Sequence, residues 1–283
     1  MISIQALFLR GERLLRSLPD TDPALEARLL LFKAAGLTER EFVTRPDRPV
    51  SARVERRFLK LVGSRLSRVP LVYLTGEKEF WSVSFSVSPG VFIPRPETEL
   101  LVEKAIELSP KRGGLIVDIG TGSGNIAISL AKSLPSAKVV AVDISRRALK
   151  TARGNAERQG VKNLTFVLGD LFAGLRRLRL QSRVDLLVSN PPYVALTEWQ
   201  ELEPEVREFE PKRALVPGVT GLEFIRRLIK GGPDFLKPGG FLVFEIGFGQ
   251  SGRIPALLGP GWTDVSIRPD LSGIPRVVVA RKA

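Results

Sequence analysis

The 283-residue sequence contains no cysteine and no histidine. Without cysteine there are no disulfides, no thiolate nucleophiles and no cysteine-ligated zinc. Without histidine, serine–histidine catalysis, imidazole general bases and histidine-ligated metals are excluded as well. An enzyme made from this chain works with carboxylates, amides, backbone groups and a bound cofactor, and no metal is expected. Long apolar runs are also missing: none approaches the roughly 20 residues that a bilayer span requires. The opening stretch, Met1 to Leu15, has no charged leader before its short apolar run and no small-residue cleavage pattern. No secretory signal is read there, and a cytoplasmic location is expected.

Hydrophobic residues make up 43% of the chain and charged residues 26%, a balance that supports a buried core in one large or two modest domains. The formal charge is +13, from 43 Lys and Arg against 30 Asp and Glu. Such a surface favours polyanionic partners by steering and counterion release, and serves equally as solubility charge. The excess is uneven. Residues 51–68 (SARVERRFLKLVGSRLSR) hold six basic side chains against the single Glu55.

Residues 1–75 read as a small helical domain. Leu7, Leu9, Leu14 and Leu15 mark a first amphipathic helix, and Ala24 to Ala35 a second that Gly36 stops. Thr38 and Glu41 have capping-box spacing for a short third. Phe58, Leu59, Val62 and Leu66 stripe a fourth, with arginines opposite and Pro70 at its end. The domain is too small and polar for catalysis, and substrate docking suits it better; the basic stripe reads equally as a solvated face or a docking surface. Residues 76–95 read as a linking β-hairpin: apolar and serine residues alternate from Trp81 to Ser88, Pro89-Gly90 signals a turn, and Val91 to Ile93 returns.

Residues 96–283 form the predicted catalytic domain. Strands over 114–119, 137–142, 164–167, 184–188 and 241–245 alternate with helices, which means a parallel sheet covered on both faces. The ending differs, because residues 265–268 and 276–281 are strand-like runs joined by a turn with no room for a crossover helix. An antiparallel last strand inserted in the sheet is expected.

The first of these strands runs into Asp118-Ile119-Gly120-Thr121-Gly122-Ser123-Gly124 and then a helix. Glycines let the backbone approach a ligand at a helix N-terminus. Their spacing is not that of the dinucleotide fingerprint. Asp143 closes the next strand, where a carboxylate accepts from both hydroxyls of an adenosine ribose. Asp170 and Leu171 close the third and flank an adenine, with Phe172 as a second candidate for ring packing. The plain reading is a tight β–α turn with solvated acids. Taken together, these strand ends resemble the class I S-adenosylmethionine-dependent methyltransferases, whose seven-stranded Rossmann-like sheet also finishes antiparallel. The resemblance implies S-adenosylmethionine, a sulfonium cation beside which Asp118 and Asp143 are favourable and a pyrophosphate would not be.

The fourth strand ends in Asn190-Pro191-Pro192-Tyr193. Two prolines fix φ and remove donors, leaving the Asn190 and Pro191 carbonyls as acceptors on a stiff turn. Asn190 adds a side-chain acceptor and Tyr193 an aromatic face. Two acceptors aligned on a planar –NH2 group would orient its weakly nucleophilic nitrogen toward a methyl donor and stabilise the charge that develops. An ordinary proline turn is the alternative. The tetrapeptide is similar to the signature of amino-methyltransferases acting on DNA adenine or cytosine, rRNA guanine, or protein glutamine.

Residues 76–80 (Gly-Glu-Lys-Glu-Phe) and 92–99 (Phe-Ile-Pro-Arg-Pro-Glu-Thr-Glu) closely resemble the inter-domain hairpin of the release factor glutamine methyltransferases. So do Glu205-Val206, Glu210-Pro211, Ala214-Leu215, and Phe244 to Gly247 with Gln250. The resemblance implies methylation of the side-chain nitrogen (N5) of the glutamine in the Gly-Gly-Gln motif of class 1 peptide-chain release factors. A monomer without a membrane partner is expected, for which direct nucleic-acid binding is open but not required. The resemblance also implies that Gly120 to Gly124, Asp143, Asp170 or Leu171, and Asn190 hold the cofactor, and that Asn190 to Tyr193 hold the glutamine amide. Leu171 departs from members that carry a tryptophan or other large side chain there. Glutamine methylation of a ribosomal protein would use most of the same motifs. A nucleic-acid amino-methyltransferase is the other enzymatic reading, though no separate target-recognition domain is visible. A basic ribosome-binding scaffold with a vestigial nucleotide fold is the non-enzymatic one. From the residues themselves, Pro94-Arg95-Pro96 is a stiff wall for a cleft, Glu97 and Thr98 cap the helix over 99–108, and residues 194–219 are a long, acid-rich, structure-poor stretch suited to a lid.

Overall fold

The computed structural model describes residues 2–19 and 21–283, and its contacts divide the chain into two compact units. The first runs to Glu77 and takes in the later segment Glu203–Phe209; the second is the remainder.

Among the described residues, α1 (Ile4–Leu15), α2 (Pro23–Ala35), α3 (Glu39–Thr44), α4 (Ala52–Leu66) and α5 (Leu71–Thr75) build the first unit together with one later helix over 204–209. The starts of α1 to α4 are each capped by a side chain, from Ser3, Asp22, Thr38 and Ser51. Asp22 accepts from the Ala24 and Leu25 N–H groups with Pro23 at the first helical position, and Gly36 ends α2 in the left-handed region. Thr38 and Glu41 form the expected capping box. The helices bury Leu7, Leu15, Leu30, Leu31 and Phe58. Gly11 permits the α1–α4 contact, since a Cβ there would lie 2.3 Å from the Phe58 ring. Two details differ from the sequence reading. Helix α4 stops at Leu66, before Pro70, because Arg68 turns to a φ of 64°. The basic stripe is also interrupted: Arg65 is 4% exposed and donates to both oxygens of Glu26 (2.9 and 3.0 Å) and to Glu205 (2.9 Å). Arg53, Arg56, Arg57 and Lys60 remain exposed.

A hairpin at the start of the second unit turns earlier than Pro89-Gly90. Its strands are β1 (Glu77–Phe80) and β2 (Val83–Ser86), and Trp81-Ser82 is the turn, with φ of 53° and 54°. Neither residue announces a left-handed turn, and the Glu99 carboxylate holds it by accepting from the Trp81 N–H (2.8 Å). Residues 91–93 form no strand. Phe80 and Phe85 meet edge-to-face and join the same core as Leu101, Ile116 and Val188.

The sheet follows. Helix α6 (Glu99–Leu108) precedes β3 (Leu115–Ile119), α7 (Asn125–Ser133), β4 (Lys138–Asp143), α8 (Arg146–Arg158), β5 (Leu164–Leu168), α9 (Ala173–Arg177) and β6 (Val184–Ser189). Then come α10 (Pro204–Phe209), whose contacts belong to the first unit, α11 (Glu223–Gly231), β7 (Leu236–Glu245), α12 (Ile254–Leu257), β8 (Trp262–Pro269) and β9 (Pro275–Lys282). Strand order is β5-β4-β3-β6-β7-β9-β8. Pairs from β5 to β7 are parallel; β9 lies antiparallel between β7 and β8, as expected from the short final turn. Two apolar layers sandwich the sheet, one around Leu187, Phe235 and Phe244 and the other around Ile116, Val139 and Val243. The stretch 194–219 is more ordered than its composition suggested, with 3-10 turns at Leu196–Glu201 and Lys212–Ala214 flanking α10. No helix among the described residues is long and apolar enough to cross a membrane.

Candidate active site

Because β3, β4, β5 and β6 run parallel, their last residues open on one side of the sheet, and a cavity of about 520 Å³ lies there. Its wall includes Gly120, Thr121 and Gly122 from the first strand end and Asp143 from the second. Asp170 and Leu171 come from the third, and Asn190 to Tyr193 from the fourth. Four turns far apart in sequence thus share one space.

The glycine-rich turn is held mainly by backbone, with side-chain contacts from Asp143 and Asn155. The Gly120 and Thr121 N–H groups donate to the Val142 carbonyl (2.8 and 3.0 Å), and Gly120, Gly122 and Gly124 take φ of 81°, 57° and 85°. Asp118, Ser123 and Gly124 stand behind this wall rather than in it. Asp118 lies on the central strand between β4 and β6 and is fully buried. Ser123 gives its carbonyl to Asn155 (2.8 Å) and its hydroxyl to Asn125 (3.2 Å). Gly124 sits where a Cβ would crowd Ile128 of α7 at 2.9 Å and Ala152 of α8 at 3.0 Å.

Asp118 is the electrostatic centre of the turn. The Thr121 hydroxyl and the Ala127 N–H lie near it, yet neither carboxylate oxygen receives a hydrogen bond of ordinary geometry. Burial above all, with nearby Asp143 adding to it, pushes its pKa up to about 7. Asp143 differs: its oxygens accept from the Gly122 and Ser145 N–H groups, both at 2.8 Å, while burial still raises its pKa. Asp170 is exposed and paired with Arg227 at 2.7 Å. Leu171 reaches the cavity from a φ of 47°. Phe172 does not reach it; its ring stacks on Phe235 at 4.9 Å in the core, which removes it as the partner of a cofactor ring.

The Asn-Pro-Pro-Tyr turn is braced from outside. Ser189 donates to the Ile119 carbonyl (2.7 Å), joining the two strand ends. The Asn190 Nδ2 donates to Thr98 Oγ1 (2.9 Å), Thr98 Oγ1 to Glu245 Oε2 (2.7 Å), and the Tyr193 hydroxyl to Glu245 Oε1 (3.1 Å). Gln250 Nε2 donates to the Tyr193 carbonyl (2.8 Å), and its Oε1 accepts from the Gly247 N–H (2.9 Å). Gly221, at a φ of 75°, passes so close that a Cβ would lie 2.4 Å from the same Tyr193 carbonyl. Among the described residues no hydrogen bond ends on Asn190 Oδ1 or the Pro191 carbonyl, so both acceptors stay available. Burial pushes the Glu245 carboxyl up to about 7 against the two hydroxyls that donate to it, and burial beside Glu245 raises Tyr193.

The segment 93–99 does more than wall a cleft. Glu210 accepts from the Ile93 N–H (3.0 Å) and pairs with Arg95, whose guanidinium lies 4.8 Å over the Phe92 ring. Thr98 does not cap α6, because its hydroxyl is committed to Glu245. Along the sequence Thr98 reads only as a helix cap, and Glu245 and Gln250 only as part of a resemblance, so none of the three is marked as bracing the turn. One signal was present: Glu245 follows directly on the buried apolar run Leu242 to Phe244, where an acid needs partners.

Chemically, one wall offers a glycine turn with a buried acid, and the other offers fixed carbonyl acceptors without donors. A cationic, polar ligand suits the first and an –NH2 group the second. Residues 110–230 match the family model described as a methyltransferase domain, and residues 6–76 match one described as PrmC N-terminal domain. The chain is 40% identical over 261 residues to a release factor glutamine methyltransferase of Koribacter versatilis, covering 92% of this chain and 91% of that protein. It is 39% identical to the release factor glutamine methyltransferase of Nitratidesulfovibrio vulgaris, covering 99% and 95%. A solved methyltransferase from Pyrococcus furiosus shares the fold, with a TM-score of 0.53 at 18% identity over 78% of this chain and 99% of that one.

Proposed function

Since this chain belongs to the release factor glutamine methyltransferase family, we propose that it methylates N5 of the glutamine in the Gly-Gly-Gln motif of class 1 peptide-chain release factors, acting as a cytoplasmic monomer. S-adenosylmethionine is its cofactor, and the residues present fit that group. The glycine turn exposes backbone to the cavity, and the acid behind it lacks a partner that a cation would supply. The single observation that supports the substrate reading is the pair of unused acceptors on a proline-stiffened turn facing the same cavity.

In this reading Gly120, Thr121 and Gly122 receive the amino-acid end of the cofactor, Asp143 its ribose hydroxyls, and Asp170 and Leu171 flank its adenine. Asp118 and Asp143 supply negative charge. Bound there, S-adenosylmethionine supplies an electrophilic methyl group. Asn190 Oδ1 and the Pro191 carbonyl accept from the two hydrogens of the substrate amide and turn its nitrogen lone pair toward that group. Tyr193 packs against the amide plane. Transfer of that methyl group to nitrogen would give N5-methylglutamine and S-adenosylhomocysteine, with the nitrogen proton lost to solvent. The two acceptors stabilise the positive charge on nitrogen as it develops. The helical unit, with its exposed Arg53, Arg56, Arg57 and Lys60, is the docking element for the release factor.

Labelled methyl transfer tests this with purified release factor, ribosomal protein, rRNA and DNA offered side by side. Label is expected on the release factor alone, and mass spectrometry should place one methyl on the Gly-Gly-Gln glutamine. Label on another glutamine-bearing protein, or on nucleic acid, would overturn the substrate assignment.

A further inference from the structure

Asn190 can serve as an acceptor only if its oxygen, and not its nitrogen, faces the substrate. The two ends of a carboxamide have nearly the same shape, so packing alone does not choose between them. Hydrogen-bond polarity does. An ionised carboxylate is acceptor-only, and Glu245 is 1% exposed with both oxygens occupied by hydroxyls, Oε2 by Thr98 (2.7 Å) and Oε1 by Tyr193 (3.1 Å). Thr98, itself 1% exposed, therefore spends its single proton on Glu245 and has only lone pairs left. It accepts from Asn190 Nδ2 at 2.9 Å. In the reversed orientation Asn190 Oδ1 would meet those lone pairs and Nδ2 would confront the donor hydrogens of the substrate amide.

We propose that Thr98 and Glu245 are positioning residues that set which end of the Asn190 carboxamide faces the substrate. This rests on the reading of Asn190 as an acceptor for the glutamine amide. Residues brought from 98, 190, 193 and 245 form one polarity relay, and Glu245 anchors both ends of the catalytic turn through it. Tyr193 is the titratable group in contact with Glu245. Arg276 lowers and Glu97 raises its affinity for a proton at longer range. Burial keeps that affinity high enough that the relay is best examined at pH 8.5, above the value of about 7, where Glu245 is ionised.

The test measures single-turnover methyl transfer to release factor at pH 8.5, together with cofactor binding by calorimetry. Thr98→Val is expected to lower the transfer rate about 10- to 100-fold, within the range of a lost positioning contact, with cofactor Kd changed by less than about 3-fold. Thr98→Ser, which restores the hydroxyl, should return the rate to within about 3-fold of wild type. Adding Thr98→Val to Asn190→Ala should slow the enzyme no further, because the threonine acts through the asparagine. Should Thr98→Val not fold, Thr98→Ala carries the same comparison. Full transfer by the Thr98→Val or Thr98→Ala variant, failure of Thr98→Ser to recover, or multiplying losses in the double variant would each overturn the relay. Undiminished transfer by Asn190→Ala alone would instead overturn the reading on which it stands.

Discussion

The two turns that close β3 and β6 face one cavity and are built on opposite principles. The glycine-rich turn over 120–124 is shaped by backbone freedom, by backbone hydrogen bonds and by the Asp143 carboxylate that accepts from the Gly122 N–H, while the buried Asp118 receives no hydrogen bond of ordinary geometry. The Asn-Pro-Pro-Tyr turn over 190–193 is stiff by composition and is further fixed by Thr98, Glu245 and Gln250. A ligand that brings its own positive charge can complete the first turn. On the proposed function, the second must be finished before the substrate arrives, since a poorly nucleophilic amide gains only from acceptors already in place.

The comparison breaks most severely at Asn190. Replacing it by Ala is expected to reduce methyl transfer about 10²- to 10³-fold, the scale of losing one preorganised group in a transition state, while cofactor Kd moves far less. Steady-state kinetics beside calorimetry reads both. Next comes Gly221→Ala. A left-handed φ of 75° and a Cβ only 2.4 Å from the Tyr193 carbonyl should cost about 2–4 kcal/mol of stability, read by chemical denaturation, and displace the catalytic turn.

Asp118→Asn sharpens the other side. The folded carboxyl titrates at about 7, whereas in the unfolded chain it titrates near the ordinary value of about 3.9. Between those values the cofactor-free folded state binds the extra proton, so the contribution of Asp118 to stability falls as pH rises from about 4 to about 7, and the whole penalty stands above that. The variant should therefore gain on wild type by about 2.5 kcal/mol more at pH 8 than at pH 5, measured by paired urea titrations. It should also bind S-adenosylmethionine less well, with a smaller loss for S-adenosylhomocysteine, which lacks the sulfonium charge. The smallest effect is expected at Gly122. A Cβ there meets nothing within 4 Å, so Gly122→Ala carries only the left-handed strain of its φ of 57°, about 1 kcal/mol. A cost as large as that at Gly221 would show that the cofactor turn is packed like the acceptor turn, and the contrast would fail.

What could be read along the chain differs between the turns for the same reason. Glycines and prolines state their backbone requirements locally, so residues 120–124 and 190–193 were visible at once, as were the β–α rhythm and the short turn before β9. The hairpin register was not, because Trp81 and Ser82 adopt left-handed conformations that neither residue type prefers and that Glu99 imposes from a distance. Phe172 looked like a cofactor-facing aromatic, and only the position of Phe235 shows that it belongs to the core. Arg65 counted as surface charge until Glu26 and Glu205 were found around it.

By itself, then, the order of residues determined the alternating architecture, the helix caps of the first unit, the chemistry excluded by absent cysteine and histidine, and the two kinds of turn at the strand ends. Tertiary structure alone decided that Asp118 is a buried acid without a hydrogen-bond partner, that Thr98 serves Glu245 instead of a helix, and that Asn190 keeps its oxygen free. Local conformation depends on neighbours a few residues away. Burial and hydrogen-bond polarity depend on which distant segments meet, and that is settled only when the sheet has formed.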